Sequence, residues 1–268
     1  MSGQYGIIGW PLGHTMSPTL HNWGFGQACV DGEYKAYPLE PADLSAFMKQ
    51  VRADDIRGLS VTIPHKQTII PLLDRITDRA KAVGAVNTVY WDDNRLCGEN
   101  TDVIGVVAPL RKLDLPASAM VLGAGGAARA AIAGLKELGV SNISVANRTA
   151  KKAGELASDF DIRSVAWEER LNEAPGLICN TTPLGMSGNM EDLTPWDRDR
   201  FPERCIVYDI VYNPLETRLL REAIASGCTA VSGLEMFLHQ GLAQFKLWTG
   251  RDMDENGARI LLLRALEA

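Results

Sequence analysis

Short apolar runs alternate with stretches whose apolar residues recur at helical spacing, and the alternation persists along the whole chain. This rhythm predicts an α/β fold, because strands that are apolar on consecutive positions need helices over both faces. Tyr5–Ile8 reads as a strand. Ser17 reads as an N-cap, with Pro18 at the first position of a helix running toward Cys29. Glu33–Leu39 is a strand and Pro41–Arg52 a helix. The run Gly58–Ile63 is a strand that stops at Pro64. Val86–Trp91 and Arg95–Gly98, joined by Asp92-Asp93-Asn94, read as a hairpin. Asp102–Leu113 is a helix, and Pro116-Ala117-Ser118 reads as a linker.

A second, more regular block follows. Its strands are Ala119–Leu122, Ile143–Ala146, Leu177–Asn180, Cys205–Ile210 and Cys228–Val231. Helices Ala127–Leu138, Thr149–Phe160 and Leu215–Ser226 lie between or after them. Two more helices, at about 234–249 and 254–267, close the chain.

A length of 268 residues permits one or two domains and a core that needs no staples. The net charge of −6 gives no electrostatic reason to expect nucleic acid or an anionic membrane as partner. The N-terminal residues lack a basic segment and a long apolar one, and no stretch of the chain is long and apolar enough to span a bilayer. Five cysteines, at 29, 97, 179, 205 and 228, are odd in number and widely spaced. The four histidines, at 14, 21, 65 and 239, also lack ligand spacing. Neither a disulfide framework nor a metal site is expected, and the pattern reads as a cytoplasmic protein with inert thiols.

Candidate chemistry begins with Gly123-Ala124-Gly125-Gly126-Ala127-Ala128, in which Gly123, Gly125 and Ala128 have G-x-G-x-x-A spacing. The segment follows a strand and opens a helix. The first glycine allows a tight turn and the second lets the backbone approach a pyrophosphate. The small third residue permits close helix–strand packing, and the helix N-terminus attracts phosphate. A purely structural glycine turn is the plainer alternative. The next strand ends in Asn147-Arg148-Thr149, followed by Lys151 and Lys152. A carboxylate that would bond a ribose 2′-hydroxyl is missing there, and an arginine able to pair with a 2′-phosphate takes its place, so NADP is favoured over NAD. The plainer alternative is a solvated basic start to a helix.

Two further segments stand out: Ser60-Val-Thr-Ile-Pro-His-Lys66, and Val86-Asn-Thr88 with Gly98-Glu-Asn-Thr-Asp102. Taken alone, Lys66 is a surface lysine and Asp102 a helix cap. With Gly13-His-Thr-Met-Ser-Pro18 upstream and the glycine motif downstream, they form a pattern similar to the shikimate dehydrogenase family. The resemblance extends from about Tyr5 to the last helices, through GHTMSP, VTIPHK, VNT, NTD, GAGGAAR, NRT, YNP and the run Gly233-Leu-x-Met-(x)3-Gln240.

The resemblance implies an N-terminal α/β substrate domain, residues 1–102, completed by C-terminal helices at 235–268. A Rossmann-type NADP domain at 103–234 is inserted between them, with the active site in the cleft. It implies that Lys66 and Asp102 serve the reacting hydroxyl, with the formal base left open. It makes Thr15 and Ser17 the pair that holds a substrate carboxylate, Thr62, Asn87 and Gln240 the ring-hydroxyl contacts, and Tyr212 the residue closing over the substrate. Gly123, Ala124, Gly125, Gly126, Ala127, Asn147, Arg148, Thr149, Lys152, Thr181 and Gly233 would hold NADP. Ser17 as a mere cap, Tyr212 as a turn residue and Asn87 as a loop bridge are the plainer alternatives. His65 replaces the phenylalanine common in the family and reads as a local structural residue. Thr15 replaces its usual serine. Trp248 reads as core.

The implied activity is interconversion of shikimate and 3-dehydroshikimate by a monomer or homodimer that binds neither nucleic acid nor membrane. Quinate or an aminoshikimate is the nearest alternative substrate. A non-catalytic NADP-binding regulator would need the glycine motif but not Lys66, Asp102, Thr62 and Asn87 together. A Rossmann enzyme acting on a large or tRNA-linked substrate fits the acidic balance poorly.

Overall fold

The computed structural model describes residues 3–13, 15–54 and 56–267, so His14 lies outside the described residues. The chain divides into two compact units, Met1–Thr101 with Leu238–Ala268, and Asp102–Phe237.

In the first unit the chain forms β1 (Gly3–Gly9), α1 (Ser17–Gln27), β2 (Gly32–Pro38), α2 (Leu44–Ala53) and β3 (Ile56–Val61). A short α3 (His65–Thr68), β4 (Arg75–Ile76), α4 (Asp78–Val83), β5 (Thr88–Asp92) and β6 (Arg95–Glu99) follow. The strands make one mixed sheet in the order β2-β1-β3-β5-β6-β4. β1 runs parallel to β2 and β3, whereas β5 is antiparallel to β3 and β6. Ile8, Leu59, Val61 and Val89 pack with Leu44, Met48 and Val51 of α2 in an apolar core. A second group is aromatic and partly polar, with Tyr5 against Phe25 and Trp248, and His21 stacked on Tyr34.

The second unit holds α5 (Asp102–Leu110), β7 (Ser118–Leu122), α6 (Gly126–Glu137), β8 (Asn142–Ala146), α7 (Ala150–Phe160), β9 (Arg163–Val165), β10 (Leu177–Asn180), β11 (Ile206–Asp209), α8 (Arg218–Ala225) and β12 (Thr229–Ser232). Its sheet is fully parallel, in the order β12-β11-β10-β7-β8-β9. That is the doubly wound arrangement, whose ligand crevice lies at the C-terminal strand ends where the order reverses. The period of two is visible in β7: Ala119 and Val121 join one apolar cluster, Met120 and Leu122 the other. α9 (Gly233–Thr249) begins in this unit and ends in the first, and α10 (Glu255–Glu267) follows it.

Several boundaries differ from the sequence reading for identifiable reasons. Ser17 is the first residue of α1 rather than its cap; Met16 holds the cap position, with no side-chain capping bond. The stretch expected as one helix over 41–52 opens with a separate 3-10 turn at Pro41–Asp43. α5 ends at Leu110, just beyond Pro109. α8 starts at Arg218 because Thr217 is its cap, accepting from the Leu220 amide at 3.3 Å. β4 and β9, with two and three residues, are too short for a periodic signal, and α4 was also missed. Among the described residues no helix is long and apolar enough to cross a membrane, and no group of His, Cys, Asp and Glu could hold a metal.

Candidate active site

In the first unit the candidate residues lie at strand ends and on the helices beside them. Thr15 and Ser17 sit at the start of α1. The Thr15 hydroxyl donates to Ser17 Oγ at 3.2 Å, and Thr15 Oγ1 accepts from the Ser17 amide at 3.3 Å. Thr15 thus supplies the local turn contact, and Ser17 is not used as a cap. Thr62 follows β3, held by its amide on the Ile8 carbonyl and its carbonyl on the His65 amide, both at 2.9 Å. Lys66 is half-buried in α3, and its carbonyl accepts from the Val86 amide at 2.7 Å. His65 is fully buried, with Nε2 at 2.7 Å from the Leu39 carbonyl, which is a structural placement.

Asn87 is buried beside the segment that leads to α5. Its Oδ1 accepts from the Thr101 amide at 2.7 Å and from the Thr88 hydroxyl at 2.8 Å, while Nδ2 donates to Thr101 Oγ1 at 3.0 Å. The amide is therefore oriented, with its oxygen committed to protein donors and its nitrogen as the donor end. Gln240 is buried on α9. Trp248, read as core, is half-buried: it donates its indole N–H to the Val89 carbonyl at 2.9 Å and packs on Tyr5, His21 and Tyr34 at the edge of the core.

In the second unit Asp102 is the buried first residue of α5. The glycine segment forms the β7–α6 turn. Gly123 has φ +114°, a region side chains avoid, and a Cβ there would meet Thr181 Oγ1 at 2.4 Å. Thr181 in turn donates to the Leu122 carbonyl at 2.7 Å. Beyond Gly123, a Cβ at Gly125 would meet nothing within 4 Å. The turn thus leaves room over the N-terminus of α6, whose first turn carries Gly126 and Ala127 and no acidic side chain. A helix start with no side-chain cap, open space and no acidic side chain in the first turn fit a pyrophosphate.

Asn147, Arg148 and Thr149 follow β8; Asn147 Nδ2 donates to the Thr149 carbonyl at 3.1 Å, and Arg148 is exposed. Thr149 takes the cap position of α7 without a side-chain bond, and Lys152 is exposed in the first turn. These cations, with no acid in that turn, fit a 2′-phosphate. Tyr212 packs on Phe237 with ring centroids 4.8 Å apart. A Cβ at Gly233 would meet the Ile210 carbonyl oxygen at 2.4 Å, so close backbone packing alone requires glycine there.

Family profiles match three stretches: the shikimate dehydrogenase substrate binding domain over residues 7–89, shikimate / quinate 5-dehydrogenase over 111–187, and the shikimate 5′-dehydrogenase C-terminal domain over 233–259. The shikimate dehydrogenase (NADP(+)) of Maridesulfovibrio salexigens is 51% identical, covering 98% of this chain and 97% of that protein. The chain belongs to the shikimate dehydrogenase family. Among solved structures, the Thermus thermophilus enzyme in complex with NADP(H) and shikimate is 36% identical with a TM-score of 0.89, covering 98% of this chain and 99% of that one. Quinate dehydrogenase of Corynebacterium glutamicum in complex with NAD is 29% identical with a TM-score of 0.91, covering 98% and 99%. The fold is common to shikimate and quinate enzymes, so substrate choice within the family must rest on individual side chains.

Sequence reasoning passed over two buried polar centres. Asp209, at the end of β11, accepts from Thr217 at 2.6 Å, from Asn180 at 2.9 Å and from the Val211 amide at 3.1 Å. Burial pushes its carboxyl up to about 6, against the pull of those donors. The other is Gln244, which lies one turn beyond Gln240; that i,i+4 spacing was the available signal.

Proposed function

We propose that this chain catalyses the NADP-dependent interconversion of shikimate and 3-dehydroshikimate in the cytoplasm, as a monomer or homodimer, without a nucleic-acid or membrane partner. Residues 1–102 and 235–268 bind the substrate, and residues 103–234 bind NADP. The observation that carries this reading is joint retention. A chain alignable end to end with shikimate dehydrogenases keeps both the open glycine turn with Arg148 nearby and the Thr15–Ser17, Thr62, Lys66, Asn87 and Asp102 set.

When substrate is bound, Thr15 turns its hydroxyl proton from Ser17 Oγ to the ring carboxylate, and Ser17 donates its own proton to the same group. Thr62, Asn87 and Gln240 orient the ring hydroxyls, and Tyr212 covers the ring. Lys66 and Asp102 handle the proton of the reacting hydroxyl, taking it up in oxidation and returning it in reduction. NADP supplies the hydride acceptor for oxidation and the donor for the reverse. Gly123, Ala124, Gly125, Gly126 and Ala127 let the backbone approach its pyrophosphate, Arg148 and Lys152 pair with its 2′-phosphate, and Asn147, Thr149, Thr181 and Gly233 line its ribose and nicotinamide ends. Thr15 sets the preference for shikimate. Its methyl group narrows the space near C1, where quinate carries an additional hydroxyl on a tetrahedral carbon.

The test crosses NADP and NAD with shikimate, quinate and aminoshikimate in a spectrophotometric assay of NADPH or NADH formation. Turnover is expected with NADP and shikimate. Turnover of quinate as fast as shikimate would transfer the chain to the broader-specificity branch.

A further inference from the structure

Gln244 is one of the most enclosed polar side chains of the first unit, 1% exposed, and no step proposed above uses it. It sits at the centre of a polar wall built from three parts of the fold. Its Nε2 donates to the Asn87 carbonyl at 3.2 Å and to Thr88 Oγ1 at 3.0 Å. Its Oε1 accepts from Ser60 Oγ at 2.8 Å and faces His21 Nε2 at 3.3 Å. Both donors and both acceptor positions of the amide are therefore in use.

The orientation follows from chemistry. A backbone carbonyl can only accept, so the end of Gln244 that faces Asn87 is the NH2 end. Its oxygen then faces Ser60 and His21. His21 is buried, its pKa lowered to about 3 by loss of solvation, and its Nδ1 has no hydrogen-bond partner among the described residues; the ring is neutral and its proton lies on Nε2. The Tyr34 hydroxyl donates to Ser60 at 2.6 Å, and Ser60 passes its own proton to Gln244. On the other side, Thr88 receives from Gln244 and turns its proton onto Asn87 Oδ1 at 2.8 Å. A continuous line of directed hydrogen bonds thus runs from Tyr34 through Ser60, Gln244 and Thr88 to the Asn87 amide.

We propose that Gln244 is a positioning residue for the substrate: it anchors the main chain at Asn87 and, through Thr88, the amide that Asn87 presents to a ring hydroxyl. The inference rests on the function proposed above. It also explains why the last helices belong with the N-terminal sheet: α9 carries both Gln240 and the group that holds Asn87 in place.

The test uses Gln244→Met, which keeps the length and removes all four bonds, and Gln244→Glu, which is isosteric. A protonated glutamic acid can still donate one proton and accept from Ser60; an ionised one sets oxygen against the Asn87 carbonyl. Gln244→Met should raise KM for shikimate by about tenfold or more at every pH, with KM for NADP unchanged. Gln244→Glu should approach wild type at acid pH and lose shikimate affinity as pH rises, a limb that wild type lacks. Thr88→Val should give a smaller rise, and combining it with Gln244→Met should add little, since both act on one line of bonds. Where Gln244→Met does not fold, the pH profile of Gln244→Glu decides.

Folded Gln244 variants with shikimate KM within about twofold of wild type at all pH values would overturn the inference, as would a fall in thermal stability with no change in KM. A wild type that prefers another ring acid would revise the substrate, and the same ratios are then read on that acid. A wild type inert toward all three acids overturns both readings.

Discussion

The two units bury their polar groups differently, and the proposed function gives each a different kind of recognition. The first buries a dense set of polar side chains, among them Ser17, His21, Ser60, Asn87, Thr88, Asn100, Thr101, Gln240 and Gln244. The second buries two apolar clusters against its parallel sheet and concentrates its inner polar groups around Asp209, Asn180 and Thr217. Its candidate pyrophosphate contacts are backbone: a left-handed glycine, an open turn and a helix N-terminus. Side chains with fixed donors and acceptors can distinguish one ring hydroxyl pattern from another. Main-chain amides and a helix end recognise a pyrophosphate that is the same in every dinucleotide. On the proposed reading, the choice between NADP and NAD falls to Arg148 and Lys152 after β8.

The sharpest way to break this division of labour is to remove one reactive group from each unit. Lys66→Ala and Asp102→Ala should each lower kcat by about 10²–10⁴-fold while leaving NADP affinity nearly unchanged. The double variant should be little worse than the poorer single one if both serve one proton transfer. Additive losses in steady-state kinetics would assign them to separate steps.

Next in size is cofactor choice. Arg148→Asp should weaken NADP binding by about 10–150-fold, the worth of a charge-assisted bond, and narrow or invert the preference over NAD. Titration of cofactor by fluorescence, without substrate, reads this directly. Equal use of NAD and NADP by wild type would remove Arg148 from the 2′-phosphate.

A smaller effect tests the first unit's specificity. Thr15→Ser should relax the shikimate-to-quinate ratio of kcat/KM by about tenfold, the lower end of what one methyl group provides. Thr15→Val should instead raise KM for both acids, because a donor to the carboxylate is lost at similar volume. A ratio unchanged in Thr15→Ser would rule out the steric account.

The smallest expected effect separates the units by pH. His21 is neutral when buried, with its pKa lowered to about 3 by desolvation, so the unfolded chain binds more protons below about 6.5. Its stabilising contribution is fully present above that pH and is lost on acidification. Asp209 has the opposite sign: its carboxyl, raised to about 6 by burial, binds more protons in the folded chain. Its contribution is fully present below about 4 and is lost as pH rises through 6. In urea unfolding followed across pH, His21→Gln should therefore lose stability less steeply on acidification, by about 1 kcal/mol per pH unit just below 6.5. Asp209→Asn should remove a decline of similar size between about 4 and 6. Slopes identical to wild type would mean that neither group titrates as its burial implies.

Much of the second unit was legible because its signals are local. The strands Ala119–Leu122 and Leu177–Asn180 are short apolar runs next to Gly or Asn turns, and the glycine motif has a mechanism at fixed spacing. The first unit was less legible. Ser17 reads as a cap on composition, yet Thr15 makes the turn contact in its place. β4 is defined by its partner rather than by any pattern of its own, and the same holds for β9 in the second unit. The second unit has its own exception: Asp209 looks like an ordinary strand-end acid until burial and the donors from Asn180 and Thr217 are seen together.

The sequence alone determined the α/β class, the nucleotide turn, the basic segment behind the NADP expectation and the family to which the chain belongs. Each rests on residues that are neighbours in the chain, where period, turn chemistry and motif spacing act over a few positions. Only the tertiary structure decided how the polar side chains are wired. Gln244 meets Asn87, Ser60 and His21 across 157, 184 and 223 residues of chain. No local pattern encodes such a meeting, because a buried amide is oriented by whichever donors and acceptors the completed fold brings around it.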